Sequence, residues 1–96
     1  MKALFTKRAA KKYQAIKDYL TIEWGEKVVA AFEQKTIDFL DLIERFPEAG
    51  SLEVPEKQIR SFLLTKQIRI FYRIKGDKII LLTFFDTRSN AKKKLK

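Results

Sequence analysis

The sequence contains no cysteine and no histidine. Without cysteine there are no disulfides, no thiolate metal ligands and no thiol nucleophile. Without histidine the chain lacks both the commonest metal ligand and the usual general base near neutral pH. No metal site and no cofactor are therefore expected. No stretch approaches the ~20 consecutive apolar residues of a membrane-spanning helix. The opening Met1-Lys2-Ala3-Leu4-Phe5-Thr6-Lys7-Arg8 meets charge before a secretory signal could develop, so a cytoplasmic protein is expected.

What is present is ordinary globular material. Apolar residues make up 46% of 96 residues, with eight Phe and one Trp to fill a core, enough for one domain spanning 1–96. Lys and Arg number 21 against 12 Asp and Glu, a net charge of +9. On so small a body that excess favours polyanions or an acidic protein partner, although it also serves solubility.

Hydrophobic spacing divides the chain into elements. Lys2–Phe5 suits a short edge strand. Ala9, Tyr13, Ile16, Leu20 and Trp24 recur every three or four residues, one stripe of an amphipathic helix with Thr6 as N-cap and Gly25 as stop. Val29, Phe32, Thr36, Phe39, Ile43 and Phe46 form a second stripe, widened by Leu40 and Leu42 and closed by Pro47. Trp24 and Phe46 end these stripes and read as core. Glu48 to Ser51 reads as loop. The two helices predict an antiparallel hairpin needing a surface to cover.

Three runs supply that surface: Lys57 to Leu64, Gln67 to Ile74 and Lys78 to Asp86. Gly76-Asp77 suits a two-residue hairpin loop. It would set Tyr72 against Leu81, Ile70 against Thr83 and Ile74 against Ile79 on the face covered by helices. Arg69, Phe71 and Arg73 would share the reverse with Ile80, Leu82 and Phe84. A short loop at Thr65-Lys66 adds Arg60 and Phe62 to that cationic side; a one-residue slip removes them. The residues from Thr87 onward are polar and basic, including Lys92, Lys93, Lys94 and Lys96. The architecture predicted is α+β in the order β-α-α-β-β-β, an antiparallel sheet packed on one face by an antiparallel helical hairpin.

That order resembles the RelE/ParE toxins of bacterial type II toxin–antitoxin systems, and five segments carry the resemblance. They are Trp24-Gly25, Phe46-Pro47-Glu48-Ala49-Gly50, Ile59-Arg60-Ser61-Phe62, Ile70-Phe71-Tyr72-Arg73-Ile74 and Phe85-Asp86-Thr87-Arg88-Ser89-Asn90. The resemblance implies a growth-inhibiting toxin of a plasmid-stabilisation kind, neutralised by an acidic antitoxin that wraps over it. Homodimers or toxin–antitoxin hetero-oligomers would be in keeping with it. ParE-type members of the family poison DNA gyrase, and RelE-type members cut messenger RNA on the ribosome.

If the chain were a ribonuclease, the resemblance assigns Arg69 and Arg88 to phosphate contact and transition-state charge, for which the planar guanidinium fork is suited. An acid and a base are missing, because there is no His and no Tyr follows Arg88. The expectation is therefore a ParE-like inhibitor without chemistry of its own. Its binding face comprises Arg60, Arg69, Phe71, Arg73 and Arg88, and its tail of lysines is a second candidate effector. The alternatives are a RelE-type ribonuclease and a non-toxic basic nucleic-acid-binding module. Arg69 and Arg73, four residues apart on one strand, would lie ~13 Å apart, suited to successive phosphates or the carboxylates of an acidic peptide.

Overall fold

The computed structural model describes residues 1–87. Strand β1 is Lys2–Phe5; helices α1, Lys7–Trp24, and α2, Glu26–Arg45, follow; then come β2 Ser51–Val54, β3 Ile59–Leu63, β4 Ile68–Lys75 and β5 Lys78–Asp86. The sheet order is β1-β5-β4-β3-β2, with β1 parallel to β5 and the other pairs antiparallel.

Both helices start and stop where local chemistry dictates. The Thr6 hydroxyl accepts the Ala9 N–H at 3.0 Å and itself donates to the Leu82 carbonyl at 3.1 Å. It therefore caps α1 and ties the cap to β5. Thr6→Ala removes both bonds and is expected to cost about 1–2 kcal/mol, read as a lower melting temperature. Gly25 takes φ +88 and donates its N–H to the carbonyls of Leu20 and Thr21, a backbone geometry that glycine adopts without strain. Glu26 in the first turn of α2 and Arg45 in its last complement the helix dipole.

The core lies between the helices and one sheet face. Ile16 and Leu20 of α1 and Phe32, Phe39 and Ile43 of α2 meet Ile70, Tyr72, Ile79, Leu81 and Phe84 of the sheet. Trp24 and Phe46 do not join them: they are 64% and 62% exposed. Each continues the helical period past the point where the sheet gives cover.

Three features of the sheet differ from the sequence reading. Strand β2, which begins at the last residue of the segment read as loop, is a fifth strand that the sequence reading did not place; it pairs with β3, with an irregularity between Leu52 and Val54. The β3–β4 connection is longer by one residue, because the Thr65 hydroxyl accepts the N–H groups of Gln67 and Ile68 and builds a wider turn. Leu63 then pairs with Arg69, Phe62 with Ile70 and Arg60 with Tyr72. Arg60 and Phe62 accordingly belong to the helix-covered side, and Phe62 packs its ring 4.9 Å from Phe39. Finally, the tight loop at Gly76-Asp77 and the pairs Tyr72–Leu81 and Ile74–Ile79 are as expected, but the register shifts beyond them. Tyr72 pairs with Leu81 and Phe71 with Thr83, leaving Leu82 as the extra residue of a β-bulge. Ile70 therefore faces Phe84, which enters the core, and Phe85 takes its place on the open side.

Candidate functional site

The open face of the sheet is the surface the helices leave uncovered. Alternation along β4 places Arg69, Phe71 and Arg73 there, flanked by Ile59, Ser61 and Leu63 from β3 and by Ile80, Thr83 and Phe85 from β5. Phe71 and Phe85 meet edge-to-face with centroids 6.5 Å apart. The surface is apolar with guanidiniums set into it.

Arg69 is held in place. Its Nη1 donates to the Ser61 hydroxyl at 2.9 Å, and that hydroxyl donates to Glu53 at 2.5 Å. The buried serine thus bridges a guanidinium on β4 to a carboxylate on the neighbouring edge strand. Arg73 lies between Ile59 and Ile80, and its Nε is buried with no hydrogen-bond partner among the described residues. A buried unpaired N–H is costly, and an anionic group over Arg73 would relieve that cost.

Arg60, assigned from sequence to the same surface, is on the opposite side of the sheet. Its Nη1 donates to the carbonyls of Gly50 at 2.9 Å and Glu48 at 3.3 Å, fastening the chain that leaves α2. The Tyr72 hydroxyl reaches the same segment, donating to the Pro47 carbonyl at 2.7 Å and accepting the Gly50 N–H at 2.9 Å. Phe46–Gly50, Ile59–Phe62 and Ile70–Ile74, three of the segments that carried the family resemblance, therefore converge on one buried knot. These residues build the fold. Burial pushes the Tyr72 hydroxyl above its ordinary pKa, although the Gly50 N–H acts the other way.

The candidate face thus comprises Arg69, Phe71 and Arg73, joined by Ser61, Glu53 and Phe85; of these the sequence reading missed Ser61 and Phe85. Periodicity gave no signal for Ser61 and Glu53, because their placement depends on a register set by the Thr65 hydroxyl and on a strand too short to announce itself. Arg88 and the lysines at 92, 93, 94 and 96 lie outside the described residues. Among the described residues no cluster of acidic side chains could hold a metal ion, and no helix is long and apolar enough to cross a membrane.

Chemically, the face offers cations and aromatic edges suited to binding. None of the three tyrosines is on it: Tyr72 is in the knot, and Tyr13 and Tyr19 are on α1, with Tyr13 stacked on Phe32. Burial also raises the pKa of Tyr13, with Lys17 opposing that rise.

Comparisons with known proteins agree with this architecture. The toxin structure from the chromosomal ParDE toxin–antitoxin system of P. aeruginosa superimposes with a TM-score of 0.73 at 22% identity, over 90% of this chain and 95% of that one. The YoeB/ParE toxin from Agrobacterium tumefaciens gives 0.65 at 19% identity, over 90% and 98%. At these identities they speak for the fold alone. No curated protein sequence matches. The model of the family described as ParE toxin of type II toxin-antitoxin system, parDE, matches residues 3–91. With nearly its whole length matched, the chain belongs to the ParE toxins of type II toxin–antitoxin systems.

Proposed function

We propose that the chain, when free, inhibits DNA gyrase by binding it, and that an acidic antitoxin segment laid across the open sheet face neutralises it. The observation that carries the reading is the composition of that face: Arg69 and Arg73 among Phe71, Ile80 and Phe85, with neither histidine nor tyrosine beside them. Such a surface suits an amphipathic acidic peptide, whose apolar side chains cover the rings while its carboxylates meet the guanidiniums. The basic tail, with Arg88, extends the same electrostatic attraction.

Ribosome-dependent cleavage of messenger RNA is the alternative. Its phosphate contacts would fall to Arg69 and Arg88, and a base must then be found. Glu53 is linked to Arg69 through the Ser61 hydroxyl, and that bond engages it in holding the arginine.

Inducing the chain alone in bacteria separates these readings. A gyrase inhibitor halts thymidine incorporation before methionine incorporation; a ribonuclease reverses that order. Unimpaired growth would favour a passive nucleic-acid-binding module. Arg69→Gln keeps the Ser61–Glu53 bond and is expected to weaken the complex with the cognate antitoxin by about tenfold or more, since a charge-assisted bond contributes about 1.5–3 kcal/mol. An unchanged dissociation constant by calorimetry would remove Arg69 from the interface.

A further inference from the structure

The far end of the helical hairpin carries features that neither the fold nor the sheet face uses. Leu20 is the last buried residue of α1 and Phe32 the first of α2. Between them Val29 is partly buried against the core, whereas most of the remaining residues are exposed. Ile22 is 82% exposed and Trp24 64%, with Val28 also exposed. At the apex, a Cβ placed on Gly25 would meet nothing within 4 Å. Large apolar side chains left in water on a protruding element mark a contact surface, and tryptophan is the residue most enriched where binding energy concentrates.

The charge of this end is opposite to that of the molecule. Between Leu20 and Phe32 the chain has two carboxylates, Glu23 and Glu26, against the single ammonium of Lys27. The protein as a whole carries +9, so its excess of positive charge lies elsewhere. A partner that suits the cationic sheet face is therefore repelled from the tip, and the tip suits a partner of the other sign.

We propose that the hairpin tip is the end of the molecule that engages the target, with Ile22 and Trp24 as apolar anchors and Glu23 and Glu26 against the cationic surface by which DNA gyrase holds its duplex. This rests on the gyrase reading given above. An enzyme that grips DNA must line the path of the phosphates with Lys and Arg, and that lining is the complement of an acidic tip. The two ends then divide the work by charge: a cationic face for the acidic antitoxin, an acidic wedge for the target.

Two double variants test the tip. Ile22→Ser with Trp24→Ser removes the anchors, and Glu23→Lys with Glu26→Lys reverses the charge. All four positions are exposed, so the Ile22 and Trp24 variant should melt near the parent. The charge reversal should lower the melting temperature only by the few degrees that losing the favourable Glu26 contact with the α2 dipole costs, and the antitoxin-bound complex should form as before in both. Affinity for purified gyrase, measured with and without competing linear duplex, is expected to fall about tenfold or more in each variant. Parent binding should be displaced by duplex, and growth arrest on induction should be lost in both variants. Variants that bind gyrase and arrest growth as the parent does overturn the role of the tip and leave the gyrase reading intact. Parent binding that ignores duplex DNA also overturns it. A parent that does not bind gyrase at all overturns both.

Discussion

Replacing Gly50 by alanine is expected to lower the melting temperature by roughly 8–32 °C, because a destabilisation of about 2–4 kcal/mol translates at about 4–8 °C per kcal/mol in a domain of this size. Backbone conformation is not the cause, since Gly50 has φ −78 and ψ 159, a region open to any residue. The cause is space. An added Cβ would stand 2.7 Å from the Ser61 carbonyl oxygen, 2.8 Å from the Tyr72 hydroxyl and 2.9 Å from Tyr72 Cε1. The first of these is main chain in the middle of a strand and cannot swing aside. Relief must come from moving the segment after α2 outward, which stretches the Gly50 N–H bond to Tyr72 and the Arg60 bond to the Gly50 carbonyl together. A melting curve of the variant within a few degrees of the parent would mean that this approach is looser than described.

Removing a single oxygen from the same knot is the second large effect. Tyr72→Phe leaves the ring in its buried place against Phe39, so packing is preserved. It strands the Pro47 carbonyl and the Gly50 N–H without the hydroxyl that serves both. Each buried polar group left unpaired costs about 1–3 kcal/mol, so a combined loss of about 2–4 kcal/mol is expected in urea unfolding. Hydrogen exchange at Gly50 should accelerate more than exchange in β5, because the segment between α2 and β2 loses one of its two anchors, keeping only Arg60, while the central strands keep theirs. Equal acceleration everywhere would contradict a local role.

The same hydroxyl gives the fold an alkaline limit. Burial holds the Tyr72 pKa above its ordinary value of 10.0, and burial does the same to Tyr13. The unfolded chain therefore releases these protons at lower pH than the folded one. Stability contributed by the neutral hydroxyls is fully present below pH 10 and is lost as pH rises through the raised folded values. Melting temperature should be insensitive to these groups near neutrality and decline above pH 10. In Tyr72→Phe that decline should be shallower, with Tyr13 still contributing.

Much of the fold could be read from spacing. The two helices declared themselves through a three-to-four-residue apolar period bounded by Thr6, Gly25 and Pro47, and the last hairpin through Gly76-Asp77. The apolar period could not say where cover ends, so Trp24 and Phe46 looked like core although they project beyond the sheet. Strand β2 is four residues long and followed by Pro55, too short for alternation to show. The site suffered most. Its membership depends on register, and a period of two turns a one-residue error into the wrong face. One hydroxyl, on Thr65, moved Arg60 and Phe62 to the helix side, and one bulge at Leu82 exchanged Phe84 for Phe85. Neither is encoded in hydrophobic pattern. Arg69, Phe71 and Arg73 were legible because they sit on a central strand whose neighbours fix them from both sides.

The family likeness needs the same care. Arg60, Tyr72 and the Pro47–Gly50 segment belong to the motifs that identify the chain, and all of them are spent on one buried knot. Their presence argues for the fold. We propose that activity lies on the open sheet face and at the hairpin tip instead.

The most direct test is a supercoiling assay with purified gyrase and relaxed plasmid, run beside a ribosome-dependent translation extract scored for message cleavage. The toxin should block supercoiling or trap cleaved plasmid at concentrations that leave message intact, and its antitoxin should restore turnover. Intact supercoiling together with cut message would contradict a binding toxin and make this chain a ribonuclease.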